Sequence, residues 1–235
     1  MAGKFNNFIS QLGIEDPQTA IWQSPFDYKR QSLLYLPGIS VEPNNSQYNQ
    51  CVAEVAKSVI AHSQGRIFLL FTSYKAMHEV AKALEQAEYP LLVQGNGAKS
   101  QLLADFREHG NAVLLGTNSF WEGVDVRGEA LSCVLIDKIP FAPPGDPVLE
   151  ARINTLREQG GNPFRSIQIP SAVIQLKQGI GRLIRDQQDT GVLVLCDPRF
   201  LSKPYGKVFM RSLPPMPITQ DIDDVADFFA EKAGL

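Results

Sequence analysis

"RIFLLFTS", residues 66–73, is a continuous apolar run that ends in two small hydroxyl residues. An amphipathic helix would space its apolar residues three and four apart, and a half-exposed strand would alternate them. This run does neither, which suits a strand buried on both faces, as in a parallel sheet. The same pattern recurs outward from it: "PLLVQG" (90–95), "NAVLLGT" (111–117), "LSCVLIDKI" (131–139) and "GVLVLCD" (191–197). Helical patterns fall between the runs, at 47–63, 74–87, 98–108, 146–158 and 170–187. Strand–helix alternation of this kind predicts βαβ units, hence an α/β domain with a parallel sheet and helices on both faces. Function in such sheets gathers at loops that follow the carboxyl ends of strands.

Composition bounds what those loops can do. The chain has 235 residues, 44% hydrophobic, with a formal net charge of −3, so any nucleic-acid contact must be local and not a bulk-basic effect. No apolar run approaches the roughly 18 residues of a membrane span, and the first residues lack a signal-peptide pattern. Cys51, Cys133 and Cys196 are odd in number and far apart, which argues against a disulfide framework or a metal cluster and fits a reducing, cytoplasmic setting. Residues 1–30 read as an irregular lead-in with one short apolar helix around Phe5, Phe8, Ile9 and Leu12. Residues 31–212 read as the main domain, and 213–235 as a tail that ends in an amphipathic helix over 219–232, with Thr219 as its cap.

The segment "QGIGRLIRD" (178–186) raises a question of its own. Read as part of helix 170–187, it puts Leu176, Ile180, Leu183 and Ile184 on one stripe and Gln178, Arg182 and Arg185 nearly opposite. A solvated face with Asp186 and Asp189 nearby is one reading. Against it, Gly179 and Gly181 each cost roughly 0.5–1 kcal/mol in a helix interior, a cost that makes sense where another surface must come close. Two arginines at fixed spacing also suit a multi-oxygen anion such as a triphosphate.

Q-x-x-G-R-x-x-R, here Gln178, Gly181, Arg182 and Arg185, resembles motif VI of superfamily 2 helicases. "GTNSFWEGVDVRG" (116–128) resembles motif V of the XPD/DinG branch, "FLLFTSY" (68–74) its motif IV, and "SPFDYKRQSLLYLP" (24–37) the entry to its second motor domain. "DKIPFAPPGDP" (137–147) recurs at the matching place. Order and spacing fit from about residue 20 to 210, and the bacterial DinG/YoaA type fits best. The resemblance implies a RecA-like fold and the C-terminal motor domain of an ATP-dependent DNA helicase, running 5′ to 3′ in DNA repair or replication. It implies Arg182 and Arg185 as arginine fingers with Gln178 beside them, and nucleotide-facing roles for Glu122, Gly123, Asp125 and Gly181.

Thr72, Ser73, Gln94, Thr117 and Asn118 follow strands and carry donors suited to a nucleic-acid backbone, with Ser73 equally suited to cap the next helix. Phe120 and Trp121 read as packing residues. "GNGAKS" (95–100) is not a Walker A loop, because Ala98 separates Gly97 from Lys99. No D-E-A-H-like magnesium sequence occurs, and His62, His78 and His109 lack metal-ligand spacing. ATP and Mg2+ would therefore be shared with a first motor domain, which in this branch also carries the iron–sulfur cluster. Single-stranded DNA, that first domain and the chi subunit of DNA polymerase III are the partners the resemblance implies. The alternatives are an RNA helicase domain or a non-catalytic interaction module. Phe228 and Phe229 on the tail helix fit either packing on the domain or docking a partner.

Overall fold

The computed structural model describes residues 5, 9, 12–22, 24–117, 120, 130–143 and 145–233. The chain enters through a short helix α1 (Tyr28–Gln31) and then alternates. It runs β1 (Ser32–Tyr35), α2 (Tyr48–Ser63), β2 (Ile67–Leu70), α3 (Tyr74–Ala83), β3 (Leu91–Val93), α4 (Lys99–His109) and β4 (Val113–Gly116). After β5 (Cys133–Ile136) come α5 (Pro147–Glu158), a π-helical turn (Phe164–Gln168), α6 (Ile169–Ile180) and β6 (Gly191–Leu195). The chain closes with α7 (Arg199–Ser202), α8 (Gly206–Ser212), β7 (Ile218–Thr219) and α9 (Ile222–Ala233). The described strands form one sheet in the order β3-β4-β2-β5-β6-β1-β7, and every pairing among them is parallel.

Alternate residues of each strand feed two separate cores. Leu34, Phe68, Leu70, Leu114, Val134, Ile136, Leu193 and Leu195 pack on one face with Phe106 of α4 and Leu176 of α6. Leu33, Tyr35, Ile67, Leu69, Val113, Leu115, Leu135 and Val194 pack on the other with α2, α3 and α9. Both faces are thus dry, which is why the runs read as continuous and not alternating. This is the predicted α/β sheet covered on both sides.

Two expectations change. Helix α6 stops at Ile180 rather than continuing to 187. Two strands were not anticipated, Ser32–Tyr35 and Ile218–Thr219. Of the two readings of the tail helix the structure follows packing on the domain: β7 extends the sheet beside β1, and α9 sets Val225 (0% exposed) and Phe229 (9%) into the second core. Thr219 lies in β7, outside the helix. Its hydroxyl donates to the Asp224 carboxylate and accepts the Asp221 N–H at 3.0 Å, so it still fastens the start of α9. Of the expected apolar helix in the lead-in, Phe8 lies outside the described residues, and Ile9 donates its N–H to Phe5 O at 2.9 Å.

Candidate functional site

The carboxyl edge of the sheet is stitched together by side chains. The chain leaves β2 toward β3 on one side and leaves β5 toward β6 on the other, so the β2/β5 boundary is a topological switch point. Asp137, the residue after β5, sits there 1% exposed. Its carboxylate accepts the N–H of Thr72 at 3.0 Å, the Thr72 hydroxyl at 3.3 Å and the Lys138 N–H at 2.7 Å. Tyr48 of α2 donates its hydroxyl to the Asp137 carbonyl at 2.5 Å. Burial pushes the Asp137 carboxyl up to about 7, against the opposing pull of Lys138 and the bonds from Thr72. One strand over, Asp197 accepts the Ile139 N–H at 2.9 Å and binds the Arg199 guanidinium, with Nη2 to Oδ2 at 2.6 Å. Two buried carboxylates therefore set the loops after β2, β5 and β6.

A second knot joins β3, β4 and α3. The Gln94 side-chain oxygen accepts the Thr117 N–H at 2.6 Å and its hydroxyl at 3.1 Å, while Gln94 Nε2 donates to the Tyr74 hydroxyl oxygen at 2.5 Å. Gln94 and Thr117 are buried, at 8% and 5% exposed. Ser73 is exposed and caps α3 by accepting the Ala76 N–H at 3.2 Å. The structure thus brings Thr72, Ser73, Gln94 and Thr117 to one edge. It also engages the N–H and hydroxyl of Thr72 and of Thr117 internally, leaving Ser73 and Tyr74 as the outward-facing members. Asp137 and Asp197 were missed from sequence. The available signal was a lone acid placed straight after an apolar run, in "LIDKI" and "LCDPR".

Gly116, at the end of β4, has a physical reason to be glycine: a Cβ there would lie 2.7 Å from Phe120 Cβ and Cγ. Phe120 is 2% exposed and meets Phe68 edge-on at 6.2 Å, a packing role as expected. Asn118, Trp121, Glu122, Gly123 and Asp125 lie outside the described residues.

The arginine segment occupies the opposite edge. α6 runs against the strands and delivers residues 181–190 to the start of β6. Gln178 is exposed on the last turn of α6, and Gly181 is its cap residue, with ordinary φ −62°. A Cβ at Gly181 would lie 3.3 Å from Lys177 O. Turns follow, with Arg182 N–H to Gly179 O at 3.2 Å and Leu183 N–H to Ile180 O at 2.9 Å. The Asp189 carboxylate then accepts the backbone N–H groups of Arg185 (2.8 Å) and Asp186 (2.9 Å). That side-chain competition with the helical ladder ends the helix. Gln31 Nε2 donates to the carbonyls of Asp186 and Asp189, both at 2.9 Å, fastening the turn to the entry of β1. Leu183 and Ile184 are buried as predicted, and Arg182 and Arg185 are half-buried. The turn that carries the arginines thus leads into the amino end of β6, a strand's length of backbone, roughly 16 Å, before the carboxyl edge where Thr72, Ser73, Gln94 and Thr117 lie.

Among the described residues no cluster of three His, Cys, Asp or Glu side chains gathers for a metal, and no helix is long and apolar enough to cross a membrane. The helicase C-terminal domain family matches residues 56–216. The ATP-dependent DNA helicase YoaA of Escherichia coli (strain K12) is 47% identical over 226 residues, 96% of this chain and 36% of that protein. The ATP-dependent DNA helicase DinG of Photobacterium profundum is 34% identical over 223 residues, 90% of this chain and 32% of that protein. The chain thus spans about a third of these curated relatives. The structure of S. tokodaii Xpd4 shares the fold at a TM-score of 0.60 and 18% identity, over 82% of this chain and 39% of that one.

Proposed function

Because the chain belongs to the helicase C-terminal domain family, in its XPD/DinG branch, we propose that it is the second motor domain of an ATP-dependent DNA helicase. The observation that carries this reading is the arginine turn. Its backbone is pinned by Asp189 and Gln31 at the sheet edge away from the strand-end donors. A pinned backbone fixes where the Arg182 and Arg185 guanidiniums start, and fixed cations stabilise charge that develops in a transition state without reorganising. Their target is a nucleotide held on a first motor domain. Gln178 lies one turn before them, and the missing side chain of Gly181 lets that domain come close. ATP with Mg2+ supplies the phosphoanhydride whose cleavage drives the motor. This chain's fit to it is half a site, since guanidiniums are present and a Walker sequence is not.

On the carboxyl edge, Ser73 and the start of α3 offer a phosphate-binding end, with Thr72, Gln94 and Thr117 as its scaffold. Asn118 is assigned to the same nucleic-acid contact, and Glu122, Gly123 and Asp125 to the nucleotide, from the family motif alone. An iron–sulfur cluster goes with the first motor domain, as do the 5′ to 3′ direction and work in repair or replication with the whole protein. The chi subunit of DNA polymerase III is a candidate partner of this domain. The inward packing of Val225 and Phe229 argues against α9 as its docking face.

The test is nucleotide hydrolysis by the intact protein. Single-stranded DNA should stimulate turnover and RNA of equal length should not, while the 235-residue chain alone should show none. Equal stimulation by RNA would favour the RNA-helicase reading. No response to either, with inert arginine substitutions, would favour an interaction module.

A further inference from the structure

Tyr74 stands out on the carboxyl edge. It is 54% exposed, at the first position of α3, directly after the exposed Ser73. An exposed phenol normally finds its hydrogen bonds in water. This one instead takes a bond from the amide of Gln94, a residue 8% exposed that is itself locked onto Thr117. The ring is therefore outward-facing and immobilised from below, through a chain of contacts that reaches β3 and β4. The His78 ring lies one turn along α3, with centroids 6.4 Å apart and planes 27° from parallel. Lys75 between them is exposed and lies 3.9 Å from Glu79, whose other partner is Asn49.

We propose that Tyr74 is a base-stacking residue for single-stranded DNA, its ring held in position by Gln94. This rests on the carboxyl edge being the DNA track. Aromatic faces accept any base, so a fixed ring beside a phosphate-binding helix start gives a sequence-tolerant grip. The turn that carries Arg182 and Arg185 enters β6 at its amino end, the sheet edge opposite Tyr74. The Gln94 bond also links Thr117, directly after β4, to the base contact.

The test uses the intact protein, fluorescence anisotropy, and two probes of equal length: oligodeoxythymidylate and a strand with abasic sites. Tyr74→Leu should raise the Kd for oligodeoxythymidylate about tenfold, or about 1.4 kcal/mol. On the abasic strand it should match wild type within about twofold. Tyr74→Phe, which keeps the ring, should stay within about threefold on both. An unchanged Kd for Tyr74→Leu, or an equal loss on the abasic strand, overturns the stacking role and leaves the motor reading intact. Wild-type protein that fails to bind either strand overturns both.

Discussion

Replacing Asp137 by Asn should remove a pH dependence built into the sheet. The two side chains have the same shape. An Asn oxygen can keep the Thr72 and Lys138 N–H bonds, and its amide can donate to the Thr72 hydroxyl oxygen. What Asn lacks is the proton equilibrium. The folded carboxyl is pushed from 3.8 up to about 7 by burial. Between those values the folded state holds a proton that the unfolded state has released. Folded protein thus binds more protons, and the stability tied to this group is fully present below about pH 4 and lost as pH rises through about 7. A gap of roughly three pH units at about 1.4 kcal/mol each gives about 4 kcal/mol. Urea unfolding at steps from pH 4 to pH 8 measures it. Other carboxyl groups titrate in both proteins and cancel. Wild type should lose about 4 kcal/mol relative to Asp137→Asn across that range. A difference constant to within about 0.5 kcal/mol would refute the buried, protonated Asp137 and the closed switch point that causes it.

Asp197→Ala should cost roughly 3–5 kcal/mol in urea unfolding, because it strips the carboxylate from a fully buried partner of Arg199; a cost below about 1 kcal/mol would mean the pair is solvated. Phe228→Ala with Phe229→Ala should destabilise the domain by at least roughly 3 kcal/mol, since Phe229 fills the second core. An unchanged melting temperature would restore the docking reading of the tail. Asp189→Ala should cost about 1–3 kcal/mol by stranding the Arg185 and Asp186 N–H groups, and should lower nucleotide turnover by the intact protein; normal turnover would show that the pinned turn is dispensable.

The sheet was legible because burial on both faces leaves no alternation to confuse with a helix. β1 and β7 were not, for separate reasons. Ser32–Tyr35 follows the charged stretch "DYKRQ" and runs straight into "LPG", so its apolar residues read as part of an irregular entry segment. Ile218–Thr219 is two residues behind three prolines, and only pairing with β1 makes it a strand. Helix α6 misled because Leu183 and Ile184 keep helical spacing beyond its end. The stop comes from Asp189, a side chain four residues past Arg185 that captures backbone donors, and apolar periodicity carries no trace of that. Among site residues, strand-end position alone put Thr72, Ser73, Gln94 and Thr117 on one edge of the sheet. Which of them face outward depends on Asp137 and on the Gln94–Tyr74 bond, partners 65 and 20 residues away.

The central claim is that one edge of this domain serves the nucleotide and the other holds the strand. The most direct measurement is Arg185→Ala in the intact protein, with single-turnover ATP hydrolysis and single-stranded DNA affinity read on the same preparation. Hydrolysis should fall on the order of 10³-fold or more, as for other arginine fingers, with DNA affinity within about twofold of wild type. Wild-type hydrolysis in that variant, or a loss of DNA binding that matches the loss of turnover, would contradict it.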